Sequence, residues 1–450
     1  KSKDFLNDLN LATGFALGHG GVFVVQSPYL LFYPDKNRDD VPDGPPEVLL
    51  TGFGMEDTHS YANSLQWGPD GWLYGAHGST VTAKISNPAE PKAAPIEFQQ
   101  GVWRYHPATK RFELFAEGGG NTYGLDFDQY GRCIAGTNFG GSAMLHHVQG
   151  AYYVKGFAKH GPLHNPHTYG YFDHVPYQNF KGGHVTCGGV VYQADVYPAE
   201  YHNQYIAGNL LSNALYWHQM TPKGSTFTAK HGGDALIAND SWFRPIDCYL
   251  GPDGCIYAAD WYDKRAAHLD PVDNWDKTNG RVYRLDYNNA KQPAPFDLAK
   301  KTSLELVELL KHPNKWWRNE ARCLLAERRD PSIVEKLKKQ LFAEKELLAL
   351  ETLWALHVTA GIDDDTALKL LNHSNEHVRA WTVRLLGDRP ASEAVLAKGF
   401  PRYADVPAHA LAEFRSMAKS DNSVLVRSQL ACTAKRIEAR QGLRLAIELA

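Results

Sequence analysis

The sequence predicts an all-β six-bladed β-propeller, its first blade absent or only partial, followed by an all-α HEAT-type solenoid. Three observations predict it. A hairpin phrase returns along the chain: "WGPDGWLYGAHG" (Trp67–Gly78) reappears as "LGPDGCIYAADW" (Leu250–Trp261) and, more loosely, as "FDQYGRCIAGTN" (Phe127–Asn138). Of the 39 glycines 35, and of the 25 prolines 20, fall before residue 300. After residue 302 the apolar pattern changes to a period near 3.6, with an internal repeat of its own.

Each copy of the phrase sets two apolar runs around a turn. Proline presets φ in Gly-Pro-Asp-Gly, and the closing glycine permits positive φ, so the flanking runs read as antiparallel strands. Two weaker copies are "TGFALGHGGVFVV" from Thr13 and "GGVVYQADVYPAEYHNQYIAGN" from Gly188. Further runs follow each hairpin: "YLLFYPD" and "EVLLTG", "GVWRYHP" and "FELFAEG", "MLHHVQ" and "YYVKGF", "ALYWHQM" and "TFTAKHG", and lastly "GRVYRLDY" alone. Five units of up to four strands at this interval fit a propeller rather than a sandwich. The last unit lacks a fourth strand and the first begins almost at residue 1, so a blade or strand from upstream is expected to complete the ring.

The propeller is placed at 1–290, a Pro-containing linker at 291–301, and the solenoid at 302–450. "LLKHPNKWWRNEARCLLAERRD" (from Leu309) aligns with "LLNHSNEHVRAWTVRLLGDRP" (from Leu370), matching His312 with His373, Asn314 with Asn375 and Arg318 with Arg379. A third copy, "SDNSVLVRSQLACTAKR", puts Arg427 in the arginine position, and "ALETLWALHVTAG" reads as a buried helix between the first two. Helix pairs with Asn or Ser caps and arginine in the next turn make a HEAT-type array. It stops in mid-pattern, so a truncated solenoid is expected. Its helix edges are the expected surface for protein partners.

Composition removes some functions. A net charge of −3 gives no electrostatic reason to expect nucleic acid. No run of about 18 apolar residues is present to span a membrane, and "KSKDFLNDLN" has no apolar signal core. The six cysteines form no Cys-x-x-Cys, so the chain carries neither a zinc ribbon nor a covalent haem site; they read as buried thiols.

In a propeller the inner strand of each blade lines a central channel. Residues just before the inner strands are Thr13, the group Asp57, His59 and Asn63, then Asn121, His184, and Arg244 with Asp247. They are expected to converge on one rim. Residues after the second strands include His77, Asn138, Asn209, Asp260 and Asp263, with Asp260 and Asp263 expected at the opposite rim. His59 is the candidate base, since histidine is the side chain that ordinarily titrates near neutrality and Asp57 is placed to hold its tautomer. The alternative is a water-filled polar channel without chemistry.

Two other clusters stand out. "DKNRDDVPDG" places Asp35, Asn37, Asp39 and Asp43 at alternating positions that suit calcium, which takes several hard oxygens from a tight loop. Asp40 stands where an EF-hand needs glycine and Pro46 where it needs glutamate, so an EF-hand is excluded; a solvated acidic turn is the alternative. His160, His164, His167 and His174 fall on an irregular insertion expected to cover the pocket, with a metal site as the alternative.

The strings "GFGMEDTHSYANSLQWGPDGWLYG", "NTYGLDFD", "GGHVTCGGVVY", "NDSWFRPIDCYLGPDGCIYAADWYDK" and "WDKTNGRVYRLDY" resemble the membrane-bound dehydrogenase family of planctomycetes. The resemblance implies a propeller akin to soluble glucose and sorbosone dehydrogenases, then HEAT repeats, then a haem c domain outside this chain. It implies a periplasmic or secreted location and a sugar or alcohol substrate. It also implies pyrroloquinoline quinone, contacted by Asn121, His184, Arg244 and Asp247, with His59 as base and Asp57 and Arg244 assisting. Gly120 replaces an arginine of that pattern, and its calcium-binding carbonyls and cofactor lysine have no counterpart here. Three functions follow: a quinoprotein-like dehydrogenase passing electrons to haem, a non-catalytic module binding carbohydrate or protein, or a calcium-dependent hydrolase.

Overall fold

The computed structural model describes residues 3–138, 141–154, 171–182, 186–264, 276, 278–389 and 406–450. The chain divides into two compact units. The first comprises residues 1–221, 227–298 and 312–323; the second comprises 222–226, 299–311 and 324–450.

Successive antiparallel sheets make up the first unit. The first sheet runs Ala12–Gly18, Gly21–Gln26, Tyr29–Pro34 and Glu47–Thr51. The second is Ala62–Trp67, Leu73–His77, Gly101–His106 and Arg111–Gly118. The third is Tyr123–Phe127, Cys133–Gly136 and Met144–His147. The fourth is Thr186–Val191, Tyr205–Asn209, Ala214–Lys223 and Thr226–Ile237, with Tyr177–Gln178 added along its outer edge. The fifth is Pro245–Leu250, Ile256–Asp260 and Arg281–Leu285. A two-stranded ribbon, Ala83–Ile85 with Ile96–Phe98, projects from the second.

The repeated phrase has a physical job. In both Gly-Pro-Asp-Gly turns the last glycine sits at positive φ, +78° at Gly71 and +77° at Gly254. The turn aspartate accepts a tyrosine hydroxyl four residues on, Tyr74 to Asp70 at 2.7 Å and Tyr257 to Asp253 at 3.0 Å. An arginine on the third strand then pairs with the same carboxylate: Arg104 with Asp70 at 3.2 Å, Arg284 with Asp253 at 2.7 Å. In the looser copy Arg132 reaches Asp128 at 2.7 Å.

Every inner strand also carries a bulge at the same place, between Ala12 and Gly14, Asn63 and Leu65, Tyr123 and Leu125, Cys187 and Gly189, and Pro245 and Asp247. At that level neighbouring inner strands come into backbone contact. A Cβ on Gly124 would lie 2.4 Å from the Gly188 Cα, and one on Gly188 would lie 2.3 Å from the Asp247 Cα. Glycine is required there by close approach, and each bulge bends and twists its strand locally. The outward faces of the first and last sheets stay uncovered: Phe15 and Leu17 are each 65% exposed and Val282 is 71% exposed.

One strand differs from expectation. "YYVKGF" was to close the third sheet, but Tyr152–Tyr153 pairs in parallel with Glu117 and Gly118 of the second. The chain reverses at Gly150 (φ +74°), whose N–H donates to Phe115 O at 2.7 Å. Gly118 leaves room for Tyr153 O, which a Cβ would meet at 2.1 Å.

The described residues from 303 onward form helices: α1 (Ser303–Leu309), α2 (Lys315–Arg328), α3 (Val334–Ala343), α4 (Leu347–Ala360), α5 (Asp364–Leu371), α6 (Glu376–Gly387), α7 (Ala408–Ser420), α8 (Val424–Ala434) and α9 (Ala439–Leu449). Thr302 and Glu305 form a reciprocal capping box on α1; Asn375 caps α6 and Ser423 caps α8. Leu371, Val383, Phe414, Val426 and Leu430 share one buried cluster. Among the described residues no helix is long and apolar enough to cross a membrane.

Candidate functional site

Antiparallel register decides which residues share a rim. Ala62 pairs with His77, Tyr123 with Gly136 and Pro245 with Asp260. The start of an inner strand therefore lies beside the end of its second strand, and Asp260 and Asp263 belong to the same rim as Arg244. The expectation that they face the opposite one is corrected: Asp260 Oδ1 accepts the Arg244 N–H at 2.8 Å, and Asp263 donates its N–H to Trp242 O at 2.9 Å.

His59 sits in a single 3₁₀ turn, Thr58–Ser60, capped by Asp57. Asp57 Oδ1 accepts the His59 main-chain N–H at 2.9 Å and lies 3.2 Å from Nδ1 of the ring. A carboxylate partner fixes Nδ1 as the protonated nitrogen and leaves the lone pair on Nε2. The second oxygen of Asp57 accepts the Thr80 hydroxyl, and Thr80 in turn meets Ser60 Oγ at 2.6 Å. Burial pushes the Asp57 carboxyl up, but hydrogen bonds from Thr80 and from the His59 main chain and ring outweigh it and hold the group below its ordinary value. The His59 side chain is 45% exposed, so this oriented imidazole opens to solvent.

A second layer fixes that loop. Asn121 donates from Nδ2 to His59 O at 2.8 Å and accepts the Ser79 N–H at 3.1 Å, while its own N–H goes to Asn138 Oδ1 at 2.6 Å. Gly78 is obligatory here, because a Cβ would lie 2.2 Å from Asn121 Oδ1 and 2.6 Å from the Ser60 Cα. Sequence reasoning missed the roles of Thr80 and Gly78, whose only trace is the small-residue run "HGST" at the end of the same hairpin; Ser60 stands directly after His59 in "HSYANS".

The other expected residues are not drawn into this cluster. Arg244 is buried and turned to the main chain, donating to Leu210 O at 3.2 Å and Lys264 O at 3.0 Å. Burial pulls its pKa down, opposed by Asp263, Asp260 and Asp240. Asp247 lies one layer below the rim, where its Oδ1 accepts the Cys248 N–H at 2.9 Å. It is half-buried; burial, with Asp126 nearby, raises its pKa to about 7. His77 is fully buried, and desolvation lowers it to about 4, outweighing hydrogen bonds to Gly78 O and Gln99 O. His184, His160, His164 and His167 lie outside the described residues. His174 is buried, its Nε2 3.1 Å from Val154 O.

Neither implied cofactor fits the side chains as they stand. Asn121 Nδ2 and the two terminal nitrogens of Arg244 donate to the protein's own backbone carbonyls, while Arg244 Nε is buried without a hydrogen-bond partner among the described residues. In the acidic loop, Asp35 accepts the N–H groups of Asp39 and Asp40 at 3.2 Å each. Asp39 accepts from Val41 N at 2.9 Å and Asn37 Nδ2 at 3.0 Å, and Asp43 from Lys36 N at 2.8 Å. Asp39 closes an Asx turn on Val41, Asp35 and Asp43 hold main-chain N–H groups farther along the loop, and among the described residues no group of three or more His, Cys, Asp or Glu is arranged to hold a metal.

No curated protein matches the chain. Solved structures similar to it include an oxidoreductase of glucose dehydrogenase type from Thermus thermophilus, at 16% identity and TM-score 0.39, covering 63% of this chain and 98% of that one. The PQQ-bound aldose sugar dehydrogenase of Streptomyces coelicolor is similar at 14% identity and TM-score 0.33, covering 62% and 94%. A luciferin-regenerating enzyme is similar at 12% identity and TM-score 0.35, covering 61% and 76%. Likenesses this weak carry no functional conclusion. A family described as a domain of unknown function, DUF7133, matches residues 1–289, the span that holds all five sheets and the Asp57–His59 turn, and the chain belongs to that family.

Proposed function

We propose that the rim carrying His59 is the active site of a quinoprotein-like oxidoreductase that oxidises a sugar or alcohol hydroxyl. One observation carries the reading: an exposed imidazole at the mouth of the inner strands, its Nδ1 held 3.2 Å from a carboxylate that Thr80 secures from behind. That arrangement suits removal of a proton from a substrate hydroxyl by Nε2. No step is assigned to a quinone or to calcium, since the Asn121 amide, the terminal nitrogens of Arg244 and the carboxylates of the acidic loop are engaged with the protein's own main chain. The electron acceptor, a haem c domain beyond this chain, the planctomycete affiliation and a periplasmic or secreted site remain parts of the proposal that rest on the sequence resemblance.

The fold reading extends in the same way. A sixth blade covering Phe15 and Leu17 on one side and Val282 on the other completes a six-bladed propeller in this proposal. Residues 302–450 are read as a HEAT-type solenoid whose helix edges receive protein partners. The recurring Asn or Ser cap followed by Arg318, Arg379 or Arg427 supports that reading.

A second reading has its own observation. Arg244 and Asn121 serve the backbone, which suits a non-catalytic module binding carbohydrate in the channel. Adding pyrroloquinoline quinone to the purified chain and following its absorbance, then dye reduction with a panel of aldoses and alcohols, separates the two. Turnover that disappears in His59→Ala supports the oxidoreductase. Sugar binding without turnover or quinone uptake supports the module.

A further inference from the structure

The two aligned helical repeats use one docking device, and they use it on different partners. In the second copy Asn375 caps α6 through Oδ1, accepting His377 N at 2.8 Å, while Nδ2 donates to two consecutive carbonyls, Lys345 O at 2.8 Å and Glu346 O at 3.4 Å. Those carbonyls belong to the turn between α3 and α4. In the first copy Asn314 accepts Trp316 N at 2.8 Å, and its Nδ2 donates to Gly251 O at 2.9 Å and Pro252 O at 3.3 Å. These two consecutive carbonyls come from the Gly-Pro-Asp-Gly turn of the fifth sheet. The flanking geometry is shared: Nδ1 of His312 and of His373 accept the asparagine N–H at 3.0 and 3.1 Å. Arg318 and Arg379 donate back to His312 O at 2.7 Å and His373 O at 2.9 Å.

The copies diverge at the residue after asparagine, Glu376 in one and Lys315 in the other. Lys315 is buried, and its Nζ lies 2.7 and 2.6 Å from the two oxygens of Asp126 and 2.9 Å from Phe127 O. The same carboxylate accepts the Val191 N–H at 2.8 Å. Lys315 N and Arg318 Nη2 then take Gln193 O at 2.8 Å and Gln193 Oε1 at 2.9 Å. Asp126 is the penultimate residue of the third inner strand and Val191 the last of the fourth, so one ammonium and one carboxylate tie both strand ends to the start of α2.

We infer that residues 312–318 are a clasp: the Gly251–Pro252 turn stands in for a preceding helical repeat, and Lys315 supplies the counter-charge that lets Asp126 bind the third and fourth inner strands. The opening of α2 is thus a structural member of the sheet unit. Leaving one partner of a buried ion pair alone is costly, whereas removing both is far less so.

Hydrogen exchange on the full chain tests this. Lys315→Met or Asp126→Asn alone should speed exchange at 123–127, 186–191 and 312–323 together, by about tenfold or more. The Asp126→Asn/Lys315→Met double variant should recover a large part of that protection. Asn314→Ala, a milder change that keeps the test usable if a charge variant fails to fold, should loosen the same peptides. Asn375→Ala should leave them untouched and loosen only 345–347 and 376–387. Unchanged protection at 123–127 and 186–191 in Lys315→Met or Asn314→Ala, or a double variant equal to the sum of the singles, overturns the inference.

Discussion

Nδ1 of His59 and Oδ1 of Asp57 lie 3.2 Å apart, within a turn whose backbone the same carboxylate caps. His59→Ala should therefore remove about 10²–10⁴-fold of any turnover in dye-linked sugar oxidation without altering the melting temperature. Thr80→Val keeps the volume but releases Asp57, so it should cost between about tenfold and a hundredfold through misorientation alone. Wild-type rates in His59→Ala would refute the assignment.

Gly78 has no space for a side chain beside Asn121 and Ser60. Gly78→Ala should shift the His59 loop and lower both activity and stability, while Gly224→Ala, in open space at a hairpin tip, should leave activity intact. Parallel assays of the two variants check this.

Burial lowers the pKa of His77, His146, His147, His174 and His218, and so weakens the fold in acid. Desolvation lowers His77 to about 4 and His146, His147 and His218 to about 3. Between pH 6.5 and 4 the unfolded chain takes up protons that the native state refuses, so stability should fall as pH drops through that window. Thermal melts at half-unit steps from pH 7 to 4 measure it.

Asp247 acts in the opposite sense. Its pKa is raised to about 7, so the native state keeps a proton that the unfolded chain releases near pH 4. Its contribution is present below that range and lost as pH rises through 7. Asp247→Asn should thus gain stability relative to the parent at pH 8 and show no such gain at pH 4; an equal difference at both values would count against the assignment.

In the second sheet, Arg104 is fully buried against Asp70 at 3.2 Å and Glu113 at 2.6 Å, with its guanidinium 4.1 Å from the Trp72 ring centroid. Asp70→Asn or Arg104→Met should cost about 3–5 kcal/mol in denaturant unfolding. Asp35→Ala should destabilise its loop, while chelator leaves the melting temperature of the parent unchanged, because the Asp35 oxygens hold main-chain N–H groups.

Local chemistry by itself determined the hairpins, the turn glycines, the helical period and the Asn and Ser caps, since each depends on residues a few positions apart. The Asp57–His59 contact was legible for the same reason. The rim of Asp260 was also implicit in an antiparallel hairpin, but it took the observed register, Pro245 against Asp260, to place it. Tertiary structure alone decided the rest. Thr80 reaches Asp57 across 23 residues, Tyr152 joins the second sheet instead of the third, and Lys315 meets Asp126 across 189. Arg244 meets the carbonyls of Leu210 and Lys264, which lie 34 and 20 residues away in the chain. Spacing reports which face of a strand or helix a side chain occupies; which other segment arrives at that face is set by how the sheets and helices pack, and no local period encodes it.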